Sequence, residues 1–197
     1  VIQDNIDMAI VASPATLHCE HAKALMNAGI PTLIEKPITS NILDAKELIK
    51  IYKDTHTPTA VAYCLRYMPA TIKMKELLDR SEIGNIYNAF IEVGQYLPDW
   101  RPSKNYQDSV SVKKSLGGGV LLELSHEIDY IQWLLGSMKV HYSQLRSSSE
   151  LNLDVEEIAD TVLVSSAGVV CNMHLDFLQK KIKRTCSFVG EKGRLDW

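Results

Sequence analysis

The strongest constraint on this chain is an alternation confined to its first third. Three short apolar runs, Asp7–Ala12, Pro31–Glu35 and Thr59–Tyr63, are separated by two stretches whose apolar residues recur at helical spacing: Leu17, Ala22, Leu25 and Met26, then Ile42, Ala45, Leu48, Ile49 and Tyr52. Runs this short, bounded by turn residues, read as buried strands. Strands joined by helix-length connections pair parallel, because a tight turn only connects antiparallel neighbours. Gly29 stops the first helix, and Ser40 or Asn41 caps the second. The prediction for this third is an α/β unit with a parallel sheet and crossover helices.

After a helix around 70–78 the pattern changes. Ile86–Tyr96 is a long strand, and three more follow at Asp160–Ser165, Val169–Phe177 and Arg184–Val189, with Ala167-Gly168 turning between the first two of these. Strands with such short connections pair antiparallel, so the second part is expected to be α+β on an open, mainly antiparallel sheet. One continuous helix is predicted over Val120–Leu135, with Leu121, Leu124, Ile128, Ile131, Leu134 and Leu135 apolar and Gly136 closing it. Gly190–Gly193 signals a hairpin, after which Arg194–Trp197 is a strand barely begun. Ser147–Ser149 reads as an exposed loop. Apolar residues on both faces of Thr161–Val164 and Cys171–Leu175 predict self-association, as a homodimer or homotetramer, through this sheet.

Charge excludes some functions. The 197 residues carry 21 Lys and Arg against 24 Asp and Glu, intermixed, for a net charge of -3. A phosphate backbone needs a basic stripe, so nucleic acid is not an expected partner. The longest apolar runs, Met8–Ala12 and Val120–Leu122, fall far short of the roughly 20 residues of a spanning helix. With no signal peptide in view, the expectation is a cytoplasmic protein without a membrane partner. The four cysteines, Cys19, Cys64, Cys171 and Cys186, are widely spaced and expected to be reduced and mostly buried. The chain opens on Val1 and runs directly into a buried strand, so an upstream element is expected.

Two clusters carry chemistry. Glu35-Lys36-Pro37 stands where a parallel strand ends, and ligands in open α/β sheets bind outside the carboxyl ends of strands. A lysine there can hold a substrate hydroxyl or help move its proton; the alternative is a solvated ion pair. Pro37 invites a cis bond. In the second cluster, Gly117-Gly118-Gly119 runs into a helix on which Glu123, His126 and Asp129 follow at intervals of three, so neighbours share a face. A histidine near carboxylates is a natural general acid/base, since it titrates near neutral pH and a carboxylate can orient its ring. The alternative is a histidine bonded inside a helix interface beside a solvated Glu127. The triple glycine lacks the G-x-G-x-x-G spacing and no strand of a βαβ unit precedes it. His18-Cys19-Glu20-His21 offers two histidines at a helix start without further ligands, whereas structural zinc takes four, so no metal is expected.

Taken together, Ala9–Pro14 followed by His18, then Glu35-Lys36-Pro37, then the glycine-led helix with His126 resemble the Gfo/Idh/MocA family of oxidoreductases. Leu77–Gly84 resembles that family's junction between domains, and Gly190–Trp197 its late sheet hairpin. The resemblance implies the C-terminal half of a dinucleotide-binding Rossmann domain over 1–66 and the family's C-terminal α/β domain, incomplete at its end, over 67–197. It implies NAD or NADP as cofactor, contacted by Ser13, Pro14, His18, Glu35 and Lys36. Catalysis would fall to Lys36, His126 and Glu123. A carbohydrate-like substrate would meet Lys36, His126, Asp129 and the aromatic, charged loop containing Tyr96, Asp99, Trp100, Arg101 and Tyr106, which could equally be an exposed connection with Trp100 packed.

The chain departs from the family's pattern in places. The family places an aspartate four residues before the histidine; counted from the glycines its counterpart is Glu123, and counted back from His126 it is Leu122. Cys64 and Ala15 stand where asparagines are common. The first strand and its glycine turn are expected before Val1, and without that cradle for the pyrophosphate this chain alone should hold the cofactor weakly. The implied function is hydride transfer between NAD(P) and a hydroxyl-bearing carbon of a sugar, polyol or sugar derivative. The alternative is a non-catalytic relative that binds a ligand or partner.

Overall fold

The computed structural model describes residues 5–197. Strands β1 (Ala9–Val11), β2 (Thr32–Ile34) and β3 (Thr59–Val61) alternate with helices α1 (His18–Asn27) and α2 (Ile42–Thr55). They form a parallel sheet in the order β1-β2-β3, with Val11, Ile34 and Val61 in register at the carboxyl edge. Of the two capping candidates, Asn41 starts α2: its side chain accepts the Asp44 N–H at 3.0 Å. Helix α1 stops at Gly29, whose φ of +73° suits glycine.

Val11, Ile34, Ala22, Met26 and Leu48 form a core on the helix-covered face. Alternation turns Ile10 to the other face, where it is 61% exposed. Within β1 only Val11 is buried among the described residues. Among the described residues, β1 stands at one end of the strand order β1-β2-β3.

Helix α3 (Pro69–Asp79) leads to a six-stranded sheet of β4 (Ile86–Gly94), β5 (Met138–Arg146), β6 (Ile158–Ser165), β7 (Val170–Asp176), β8 (Lys183–Gly190) and β9 (Gly193–Asp196). The order is β5-β6-β7-β4-β8-β9; every pair is antiparallel except β4 with β7. That parallel pair is possible because the long segment between the two strands crosses back over one face.

The covered face carries Ala89, Ile91, Val93, Cys171, Met173, Leu175 and Phe188, packed under Tyr130, Ile131 and Leu134. The open face is mixed. Asn172 and His174 point outward between the inward Cys171, Met173 and Leu175, so this strand is not apolar on both faces.

Strand β5 was not expected: its short apolar alternation, Met138, Val140 and Tyr142, is interrupted by a bulge and followed by polar residues, eight of its nine residues are exposed, and pairing with β6 imposes its conformation. The continuous helix over 120–135 is also corrected. It breaks at Leu124 (φ -97°, ψ 29°) into α4 (Val120–Glu123) and α5 (Ser125–Leu135). Among the described residues, no helix is long and apolar enough to cross a membrane.

Candidate active site

The break in the helix and the end of β2 explain one another. In an unbroken helix the Glu127 N–H would reach the Glu123 carbonyl. Here it turns to the Leu124 oxygen at 3.3 Å, and the Glu123 oxygen accepts instead from Lys36 Nζ at 2.7 Å. The same ammonium is 3.2 Å from Glu123 Oε2, while Glu123 Oε1 accepts from Ser111 Oγ at 3.0 Å. Ser111 is placed by the glycines. A Cβ on Gly118 would stand 2.6 Å from the Ser111 carbonyl oxygen, so only glycine permits that approach. Lys36 begins the segment leaving β2, and its bond to Pro37 is cis.

His126, on the first turn of α5, shares a cavity of about 230 Å³ with Lys36, Glu123, Trp100, Lys183 and Arg184. Its ring meets Tyr63 edge-on at 5.6 Å, and its Nδ1 is buried with no hydrogen-bond partner among the described residues. Burial, then the nearby Lys36 and Arg184 cations, push its pKa down to about 4, so the ring is neutral at pH 7. Neither neighbouring carboxylate orients it. Glu123 serves Lys36 and Ser111. Asp129, expected at the substrate, instead takes a two-pronged ion pair from Arg66 at 2.6 and 2.7 Å and does not line this cavity.

The other expected residues divide. Ser13 follows β1 and Glu35 follows β2, so both leave the carboxyl edge of the parallel sheet with Pro14 and Lys36. His18 lies behind them, fully buried, with Nδ1 2.9 Å from the Pro37 oxygen and Nε2 2.8 Å from the Ser13 oxygen. Both nitrogens face carbonyl oxygens, one from each loop, so the His18 ring lies between the segments that follow β1 and β2. Trp100 reaches the cavity with its indole N–H donated to the Gln95 oxygen at 3.2 Å. Arg101 does not; it lines a neighbouring hollow of about 410 Å³ with Lys104 and Tyr106. A wider concavity of about 700 Å³ lies on the open face of the large sheet and meets the Lys36–His126 cavity only at Lys183.

Two residues of the site were not anticipated. Glu127, read as a solvated alternative, is completely buried with Oε1 2.9 Å from Arg184 Nε. Burial pushes its carboxyl up to about 6 against the pull of that guanidinium. Arg184 enters the cavity from the start of β8. The spacing of α5 could have placed Glu127 inward, one residue from Ile128 and four from Ile131; nothing local marks Arg184.

The match to known families decides what this arrangement belongs to. Residues 71–196 match the GFO/IDH/MocA C-terminal domain, and residues 1–63 match the oxidoreductase family's NAD-binding Rossmann fold. The chain belongs to the GFO/IDH/MocA family. Among GFO/IDH/MocA relatives, Oxidoreductase P35 of Formosa agariphila is 27% identical over 195 residues, 98% of this chain and 60% of that protein. A levoglucosan dehydrogenase of Pseudarthrobacter phenanthrenivorans is 32% identical over 139 residues, 69% of this chain and 35% of that protein. The structure of a levoglucosan dehydrogenase in complex with NADH and levoglucosan shares the fold, with a TM-score of 0.89, 24% identity, and coverage of 100% of this chain and 55% of that one. The chain thus spans about three fifths or less of the length of these GFO/IDH/MocA relatives.

Proposed function

We propose that the protein carrying this chain transfers a hydride between NAD or NADP and a hydroxyl-bearing carbon of a sugar, polyol or sugar derivative. The observation that carries the reading is the shared cavity of Lys36, from the carboxyl end of a parallel strand, and a neutral His126 on α5. The family match and the sugar-dehydrogenase relative support it. The division into 1–66 and 67–197 is part of the proposal, supported by the separation of the two sheets near that boundary.

The residues at the sheet's carboxyl edge fit a dinucleotide. The loops after β1 and β2 leave the same side with the His18 ring between them, and Ser13, Pro14, Glu35 and Lys36 on the rim hold it. The nicotinamide, when bound, supplies the hydride acceptor or donor.

Everything else falls to side chains. Lys36, fixed by the Glu123 oxygen, holds the substrate hydroxyl and lowers the cost of its deprotonation. His126 is already unprotonated at neutral pH and takes the proton at Nε2, since its Nδ1 is buried. Glu123 keeps the lysine in place. Trp100 provides a wall for a sugar face, and Arg101 serves any longer substrate reaching the neighbouring hollow. Asp129 acts at one remove, by fixing Arg66.

A cytoplasmic location belongs to the same reading, supported by four unpaired cysteines, three of them buried. So does self-association through the open sheet face, supported by the exposed Phe90 and Tyr142 there. Spectrophotometric assay of the whole protein with NAD+ and NADP+ over sugars, inositols and sugar acids tests the function. Reduction of cofactor by at least one of them is expected. Tight sugar binding with no reduction would instead make the protein a binding relative.

A further inference from the structure

The cavity is lined in part by Arg184, whose one side-chain partner among the described residues is Glu127. Arg184 Nε stands 2.9 Å from Oε1 of the buried Glu127 as an ion pair, and neither Glu127 oxygen meets hydrogen-bond geometry among the described residues. A guanidinium has five N–H donors in a rigid plane. Among the described residues, no acceptor hydrogen-bonds its two Nη groups, and the side chain, 37% exposed overall, lines the cavity. Glu127 thus holds Arg184 by charge at the wall of the cavity that Lys36 and His126 also line.

The other charges there are already matched. Lys36 bonds Glu123, and Lys183 pairs with Glu92 at the rim. The cavity therefore draws a ligand less by net charge than by an unfilled pair of parallel donors. Sugar hydroxyls need single donors or acceptors, whereas a planar two-donor edge matches the two oxygens of a carboxylate. A volume of about 230 Å³ suits one sugar ring and not a chain. We infer that Arg184, seated by Glu127, is the specificity-determining residue of this site and that it binds a carboxylate, so the substrate class is the sugar acids. This rests on the oxidoreductase reading above for the ring beside Lys36 and His126, but not for the arginine seat itself.

Calorimetry of the whole protein with NAD+ present tests it, using D-glucuronate, D-galacturonate and D-gluconate as probes and D-glucose as the neutral control. At least one acid should bind about tenfold or more tightly than glucose, the worth of charge-assisted hydrogen bonds of about 1.5–3 kcal/mol. Arg184→Lys keeps a cation opposite Glu127 but removes the fork, and should erase most of the margin of acid over glucose. Because Arg184→Gln alone leaves a buried charge, the double variant Glu127→Gln with Arg184→Gln provides a second, charge-free test with the same expected loss.

Equal binding of acids and glucose, no binding of any acid, or a margin that survives in the folded double variant overturns the inference. Turnover of neutral sugars without an acid preference would overturn it and leave the oxidoreductase reading intact. An acid margin that depends on Arg184, with no cofactor reduction by any sugar, would do the reverse.

Discussion

The Lys36 ammonium lies 2.7 Å from the main-chain oxygen of Glu123, so the end of a parallel strand completes a helical turn broken 87 positions later. Replacing Lys36 with Met removes the only donor that this freed carbonyl has among the described residues. Lys36→Met should therefore lower stability by about 1–3 kcal/mol, the cost of an unsatisfied buried group, and also depress kcat. Urea unfolding and steady-state kinetics on the whole protein check both. Unchanged stability would mean that water replaces the ammonium without loss.

If His126 moves the hydroxyl proton, His126→Asn should reduce kcat about 10²–10⁴-fold with cofactor affinity nearly intact. Combined with Lys36→Met it should cost little more than the worse single change, since the two act on one oxygen. Normal turnover by a less stable His126→Asn protein would assign the ring a packing role.

Two histidines of the second half titrate in opposite directions. His126, depressed from 6.5 to about 4, binds fewer protons folded than unfolded between those values. Its contribution to stability is whole above about pH 6.5 and lost as the pH falls towards 4. His174, hydrogen-bonded to Asp176 and Asp160, is raised from 6.5 to about 9. Its contribution is whole below about 6.5 and lost as the pH rises through 9, diminished by its partial exposure. NMR titration of the two rings should place one midpoint on each side of pH 6.5. His174→Gln should flatten the alkaline decline in stability.

Gly118→Ala places a methyl 2.6 Å from the Ser111 carbonyl oxygen. Relief of that clash should cost about 1–3 kcal/mol, as overpacking does, and should pull Ser111 from Glu123. Thermal unfolding measures the first effect, and a raised KM for the hydroxyl substrate reports the second.

Self-association through the open sheet should fail when charge is placed on its exposed aromatic residues. Phe90→Asp combined with Tyr142→Asp should lower the mass measured by light scattering to that of one chain. A wild-type mass already equal to one chain at micromolar concentration would remove the proposal.

The parallel sheet was legible because β2, with Thr32 and Ile34 buried, and the apolar stripes of α1 and α2 announce their burial locally. Strand β5 was not, since its pattern is set by a neighbour and its own residues face water. The same limit applies to the site. Lys36, Glu123 and His126 stand in recognisable motifs, but Arg184 becomes part of the cavity only because β8 pairs with β4 beyond α5. Asp129 reads as a partner of His126 from spacing alone; Arg66, 63 positions away, decides otherwise. Glu127 is dictated by burial, which helical phase can suggest, but its pairing with Arg184 is purely tertiary.

The hand-over of the Glu123 carbonyl has a consequence for how this site can drift. Lys36 is anchored to a main-chain atom, which every amino acid supplies, as well as to a side chain, which only some do. Substitution at position 123 can then change the local charge without moving the ammonium, provided the helix stays broken at Leu124. The address of the lysine is written in the backbone, so the one-residue ambiguity between Leu122 and Glu123 in the motif need not displace it.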